Sequence, residues 1–345
     1  MKLTVIGAGN TGKVMSAHLC SMGYDVILYD RNKEKVDILN KYGIELYGAI
    51  ETHQYVSATN SLKDAIESSD IIFIMTTANG HRDLAIKMKN HLKKNQIIVI
   101  FNGNWGAYEF YKELNRDILD KNLVISETGA MIYIAVSDSI NKVRVKKIKK
   151  NIELSCIPQN KCNEIINKIN DIYPEISAAN NIIQTSINNS NPIIHVPIVM
   201  YNLDKIKNGE NFLFYKDGAS KEAIEYIEEV DKERRIICEE LKLEFSSILD
   251  IINSFWIDKH NNLYDAIHLN DSYKTTIGPK TVKHRYITED ILYGISPLYT
   301  LGKQLGLNTP YIDKLIEFFS YELKTSFVID YVNIEEIKNI LNETF

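Results

Sequence analysis

MKLTVIGAGNTG, residues 1–12, decides how the first half of the chain is read. Leu3, Thr4, Val5 and Ile6 are strand formers, and Gly7, Gly9 and Gly12 follow them in the GxGxxG spacing before a helical pattern over 11–22. Gly7 permits a tight turn out of the strand, Gly9 lets backbone approach a pyrophosphate, and Gly12 lets the helix pack closely on the sheet. The helix start at Asn10 and Thr11 offers unpaired N–H groups and a partial positive charge to a diphosphate. The spacing alone is a weak signal. Here it lies between a strand and a helix and is followed by Asp30 at the end of a second strand, 26–29. A carboxylate there accepts hydrogen bonds from the adenosine ribose and repels a 2′-phosphate, which favours NAD(H). The neighbouring Arg31 softens that choice and admits NADP(H).

Outward from this fingerprint, apolar runs and helical patterns alternate to about residue 180. A helix is expected over 33–42, strand-like alternation over 45–56, a buried strand at 70–75 (DIIFIM), a helix over 81–92 and a strand at 97–101. A helix over 107–119 and a strand at 123–126 follow. Uninterrupted apolar strands between helices imply a parallel sheet covered on both faces, so the expected fold is an α/β Rossmann-type doubly wound parallel sheet. Thr76, Thr77, Asn102 and Gly103 follow strands of this sheet, where cofactor contacts gather. VRVKKIKK, at 143–150, reads as a strand with one solvated face at an exposed edge.

Beyond about Asn180 the period changes to that of amphipathic helices, expected over 192–207, 221–241, 246–255, 288–305 and 311–321. Ser220 and Thr309-Pro310 are expected helix starts. The chain is therefore expected to hold a dinucleotide-binding domain, 1–180, and a mostly α-helical C-terminal domain, 181–345.

Composition bounds the rest. A 45% hydrophobic, 25% charged chain of 345 residues has an ordinary globular core, and a net charge of -5 gives no basic surplus for nucleic acid or an anionic membrane. Cys20, Cys156, Cys162 and Cys238 form no CxxC pair, which argues against a disulfide framework or a metal site and for a reducing cytoplasm. No signal peptide is expected before the first strand, and no uncharged apolar stretch reaches the about 18 residues of a membrane span.

Two clusters in the helical half carry chemistry. NPIIH, 191–195, places Asn191 as a helix cap, or as a substrate contact, and His195 one turn later. HRYITED, 284–290, places Asp290 in the first turn of a helix capped by Thr288, with Arg285 before it. Taken singly, such a histidine is more often structural, and Arg285 with Asp290 reads equally well as a salt bridge.

With GAGNTG, SET followed by MIYIAV (126–136), NPIIH, DKERR (231–235) and HRYITEDI (284–291), the sequence resembles the octopine/nopaline (opine) dehydrogenases over nearly its whole length. The resemblance implies NAD(P)H-dependent reductive condensation of an amino acid with a 2-oxo acid, commonly pyruvate, through an imine, and the reverse oxidation. It implies a catalytic His195–Asp290 dyad, substrate-carboxylate binding by Arg285, and Tyr215, in FLFY (212–215), as a substrate-site candidate. A monomer or homodimer is expected. A simple 2-oxoacid/2-hydroxyacid reductase on the same plan is the alternative enzyme. An inert NAD(H)-sensing protein is a third reading, one that predicts a gap in the His–Arg–Asp set.

Overall fold

The structure, a computed structural model, describes residues 1–342. Two compact units divide the chain, Met1–Thr185 and a second beginning at Ser186.

The strands of the first unit are β1 (Lys2–Ile6), β2 (Asp25–Tyr29), β3 (Ile44–Gly48), β4 (Thr52–Gln54), β5 (Ser57–Thr59) and β6 (Ile71–Ile74). They continue with β7 (Ile97–Ile100), β8 (Val124–Thr128), β9 (Tyr133–Ser137), β10 (Lys142–Ile148), β11 (Ile152–Ile157) and β12 (Ile176–Ala178). One sheet has the order β12-β11-β8-β7-β6-β1-β2-β5. All neighbours from β8 to β5 run parallel, while β11 runs antiparallel to β8. β6 and β7 are buried at every position, as strands covered by helices on both faces must be. After β5 the chain crosses to the far side of β1, so the strand order reverses between β1 and β6. The C-terminal ends of β1, β2, β6 and β7 therefore share one edge at a topological switch point, where doubly wound sheets bind ligands.

A second sheet, β4-β3-β10-β9, lies outside this pattern. β10 is the VRVKKIKK segment, and it is an interior strand rather than the expected edge: it pairs with β3 on one side and β9 on the other. Its alternation was a true signal, because Val143 and Val145 are buried and Arg144 is exposed. The helix Asn10–Ser21 is tied to this sheet. Lys13 Nζ donates to Ser137 Oγ at 2.8 Å and to the Ile140 carbonyl at 2.9 Å, and burial brings its pKa down to about 8.

The second unit is helical, and no helix among the described residues is long and apolar enough to cross a membrane. Helix Ser190–Tyr201 buries every side chain from Pro192 to Val199 and is enclosed on all sides. The helix expected over 192–207 breaks at Asn202, whose side-chain amide donates to the Ile198 and Gly218 carbonyls at 2.8 Å each. The helix expected over 288–305 is three elements: a short turn Arg285–Thr288, a π-helical turn Ile291–Ile295, and helix Ser296–Gln304. Ser220 caps helix Lys221–Glu240 as expected. Helix Pro310–Leu323 starts at Thr309-Pro310 as expected, with the Glu233 carboxylate rather than the Thr309 side chain accepting from the Tyr311 and Ile312 amides at 2.8 Å each.

DKERR supplies the most buried charge of this unit. Arg234 has no exposed surface, and its guanidinium lies 4.5 Å from the Phe245 ring centre. It donates to Asp231 Oδ1 at 2.9 and 2.6 Å, to Asn188 Oδ1 at 2.7 Å and to the Ser246 carbonyl at 2.5 Å. The other oxygen of Asp231 accepts from the Ile248 amide at 2.9 Å, at the start of helix Ile248–Phe255. Breaking a buried ion pair strands the remaining charge, so Arg234→Ala is expected to cost about 3–5 kcal/mol in urea unfolding. A loss below about 1 kcal/mol, the range of an exposed pair, would contradict this account.

Candidate active site

At the C-terminal edge of the parallel strands, Gly7 turns with φ +106° and donates its N–H to the Tyr29 carbonyl at 2.8 Å. A Cβ on Gly12 would lie 1.8 Å from the Gly7 carbonyl oxygen, so only glycine lets helix and turn approach this closely. No side chain caps the first N–H groups of helix Asn10–Ser21, and a Cβ on Gly9 would meet nothing within 4 Å. Uncapped amides facing open space at a helix start fit a diphosphate. Thr11 is half-buried, while Asn10 Oδ1 accepts from Ser137 Oγ at 2.6 Å.

Asp30 lies beside this turn. Its Oδ2 accepts from the Ala8 amide at 3.0 Å and Lys35 Nζ at 2.9 Å, and its Oδ1 from the Asn32 amide at 3.0 Å. Burial pushes its carboxyl up, but the Asn32 amide, Lys35 and the Ala8 amide together hold it below the usual carboxylate range. Lys35 is a charge that motif reading missed; a lysine in the first turn of helix Lys33–Tyr42 carries no fingerprint of its own. Arg31 is exposed.

The other expected cofactor residues gather at the same edge. Thr76 packs its methyl against Gly7, and its buried hydroxyl has no partner among the described residues. Thr77 is exposed and bonds Asn79 at 2.5 Å. Asn102 and Gly103 form a packed turn: the Asn102 amide donates to Thr128 Oγ1 at 3.0 Å, and a Cβ on Gly103 would lie 2.2 Å from the Glu127 side chain. Glu127, from SET, accepts from the Ala107 amide at 2.8 Å and so caps helix Gly106–Leu114.

In the second unit, His195 lies six residues into helix Ser190–Tyr201 and is only 6% exposed. The cap of that helix is Asn189, which accepts from the Asn191 amide at 3.0 Å; Asn191 is not the cap. His195 Nδ1 is 2.7 Å from Asp290 Oδ2, and Nε2 is 2.8 Å from the Tyr215 hydroxyl. Beside a carboxylate, the neutral imidazole carries its proton on Nδ1, so Nε2 accepts from Tyr215. The Tyr286 ring covers the imidazole face at 4.0 Å, and Phe214 meets it edge-on at 5.6 Å. Tyr215 itself stacks on Tyr273 at 4.3 Å.

Asp290 is not in a helix capped by Thr288. His284 caps the short turn Arg285–Thr288 by accepting from the Tyr286 amide at 3.3 Å, and Asp290 immediately precedes the π-helical turn. A Cβ on Gly294 would lie 2.2 Å from the Pro192 ring, so glycine lets this turn rest against the His195 helix. Asp290 is 1% exposed, and its Oδ1 has no partner among the described residues. Arg285 does not pair with Asp290 as one reading allowed. Its Nε bonds Glu289 at 2.9 Å, and its side chain remains 45% exposed. Burial, with Arg285 and His195 nearby, lowers the pKa of His284. Tyr286, Phe214, Tyr273 and Glu289 were not singled out from sequence; aromatic residues are common core fillers, and only His195 gives these a role.

Residues 178–322 match the family described as NAD/NADP octopine/nopaline dehydrogenase, alpha-helical domain, and residues 3–132 match the ketopantoate reductase PanE/ApbA family. An opine dehydrogenase of Arthrobacter sp. (strain 1C) is 26% identical over 326 residues, covering 94% of this chain and 91% of that protein. Among solved structures, octopine dehydrogenase with NADH and pyruvate superposes with a TM-score of 0.77 at 18% identity, covering 96% of this chain and 91% of the other. NADP+-bound yersinopine dehydrogenase gives 0.75 at 14% identity, covering 94% and 91%. These two structures share the fold of this chain.

The Gly12 contact yields a direct test. In Gly12→Ala the helix must retreat from backbone, which cannot give way as a flexible side chain would. A stability loss of about 1–3 kcal/mol is expected, with at least about tenfold weaker NADH binding in a fluorescence titration, a change of about 1.4 kcal/mol. Unchanged NADH affinity would remove this turn from cofactor binding.

Proposed function

Starting from a chain that is an NAD(P)-dependent oxidoreductase of the octopine/nopaline (opine) dehydrogenase family, we propose that it condenses an amino acid with a 2-oxo acid, pyruvate first among them. The product is an N-(carboxyalkyl) amino acid, and the reverse oxidation uses the same site. The observation that carries this reading is the buried His195, gripped by Asp290 at 2.7 Å, with Arg285 five residues before that aspartate.

Arg285 is the carboxylate anchor: its side chain remains 45% exposed, and a guanidinium can meet both oxygens of a planar carboxylate at once. The His195 pair supplies and removes protons as the amine adds to the ketone and water leaves. Asp290 holds the imidazole tautomer and stabilises the imidazolium, as a carboxylate does in hydrolase triads. NAD(P)H, when bound, supplies the hydride that reduces the imine carbon. Asn191 and Tyr215 are proposed to border the substrate.

We assign the first domain, with Gly7, Gly9, Asn10, Thr11, Gly12, Asp30, Arg31, Thr76, Thr77, Asn102 and Gly103, to the cofactor, and the helical second domain to the substrates. Asp30 favours NAD(H) by charge, and the Lys35 ammonium 2.9 Å away offsets part of that bias. The match of residues 3–132 to ketopantoate reductases favours a second reading, a simple 2-oxoacid reductase that needs no amine.

Oxidation of NADH by pyruvate, measured with each of the common amino acids and in an amine-free control, separates the two. Dependence on one class of amine supports condensation, whereas equal rates without amine move the protein to the simple reductases. His195→Ala is expected to lose roughly 3–5 kcal/mol of transition-state stabilisation while still binding NADH; near-normal turnover would remove His195 from catalysis. Asp30→Ala should weaken NADH binding and narrow its advantage over NADPH, and an unchanged preference would rule that role out.

A further inference from the structure

We propose that the Tyr215 hydroxyl, rather than the His195 imidazole, hands the proton to the reacting substrate, with the imidazole working behind it. The inference rests on the acid–base reading of His195 given above and changes which atom meets the substrate.

His195 has two polar edges, and both are occupied: Nδ1 by Asp290 at 2.7 Å and Nε2 by Tyr215 at 2.8 Å. One face of the ring lies under Tyr286 and its side is closed by Phe214. A substrate oxygen or nitrogen could reach Nε2 only by expelling Tyr215. That phenol is held on two sides, stacked on Tyr273 at 4.3 Å with a 22° tilt and packed edge-on against Phe214 at 5.0 Å. Its hydroxyl also interacts with the Tyr286 hydroxyl, from the residue that follows Arg285. Side chains fixed in this way transmit a proton more readily than they swing aside.

A hydroxyl suits the task because it donates and accepts at once. With His195 neutral, Tyr215 O–H points at Nε2. With His195 protonated, Nε2–H donates to the Tyr215 oxygen, and the phenolic hydrogen is released to point at the substrate. In the dehydration step, the Tyr215 proton passes to the departing hydroxyl of the carbinolamine, which leaves as water, while the Nε2 proton replaces it on the phenol. The C–O bond breaks, the nitrogen lone pair forms the C=N bond, and the imidazolium becomes imidazole. In this relay both protons move together, and burial, which pushes the Tyr215 phenol well above its usual range, disfavours a free phenolate. Tyr286 is a positioning residue, keeping the Tyr215 hydroxyl on the line between His195 and substrate.

Tyr215→Phe removes one oxygen and keeps the ring on Tyr273, and 3-fluorotyrosine at position 215 keeps the hydroxyl but makes it more acidic. Both are compared with His195→Ala for single-turnover NADH oxidation, for NADH affinity by fluorescence, and for thermal melting. With relay transfer, Tyr215→Phe binds NADH as the native protein does and slows turnover by about 10²-fold. The fluorinated protein, melting normally, changes rate at constant pH, and the native rate in mixed H2O and D2O curves as two moving protons require. If His195→Ala is inactive while Tyr215→Phe and the fluorinated protein run at the native rate, the relay is wrong and direct proton transfer from His195 stands. If His195→Ala is fully active, the acid–base reading fails and the relay fails with it.

Discussion

Asp290 is a carboxylate with almost no contact with water, one oxygen on His195 and the other without a partner among the described residues. Burying such a group costs several kcal/mol unless a partner balances it, and the imidazole is that partner. Much of the surrounding backbone is understood as the means of holding the two together. The His195 helix must be enclosed to keep the pair dry, which explains its unbroken apolar burial from Pro192 to Val199. The π-helical turn following Asp290 must lie against that helix, and Gly294 alone lets it settle on Pro192. π-Turns are energetically poor and gather at functional sites. Here the irregularity aims a carboxylate that a continuous helix would carry elsewhere.

The dinucleotide end obeys a different constraint, closeness of backbone. Gly12 against the Gly7 carbonyl brings the uncapped start of a helix to the end of β1, which concentrates N–H groups at the switch point of the sheet. Electrostatics then shade the site. Asp30 is negative, but three donors contact it and one of them carries a full positive charge. Its negative charge is therefore partly offset, so an acid at this position is an incomplete guide to cofactor choice.

The parallel sheet was legible because glycine spacing and apolar runs are local signals, and β1, β2, β6 and β7 stand where they were expected. The second sheet was not, because β3 and β10 meet across about a hundred residues and their pairing leaves no local mark. Cap positions failed for a related reason. Asn191 and Thr288 were reasonable caps by composition, yet Asn189 and His284 hold those places. Helix Pro310–Leu323 starts after Thr309 as expected, but its first amides are taken by Glu233, a carboxylate on another helix. His195, Asp290 and Arg285 were found through short motifs. Tyr215 came only with the family resemblance, and the enclosing rings of Phe214, Tyr273 and Tyr286 could not be found, since nothing distinguishes a ring that shields an imidazole from one that fills a core.

The motifs that carry the resemblance also divide by physical role. NPIIH and HRYITED deliver the paired His195 and Asp290 and the half-exposed Arg285. DKERR delivers Arg234 and Asp231, sealed inside the fold, and Glu233, which ends its reach on the amides of helix Pro310–Leu323. SET delivers Glu127, which caps helix Gly106–Leu114 beneath the Asn102–Gly103 turn. Buried charges at helix starts tolerate few replacements, because exchanging either partner strands the other in a low-dielectric interior. A charged motif in this chain is therefore as often a fastening between helices as a site of chemistry. What separates the two is exposure: the Arg285 side chain remains 45% exposed, whereas Arg234 has no exposed surface and donates to Asp231, Asn188, Ile187 and Ser246.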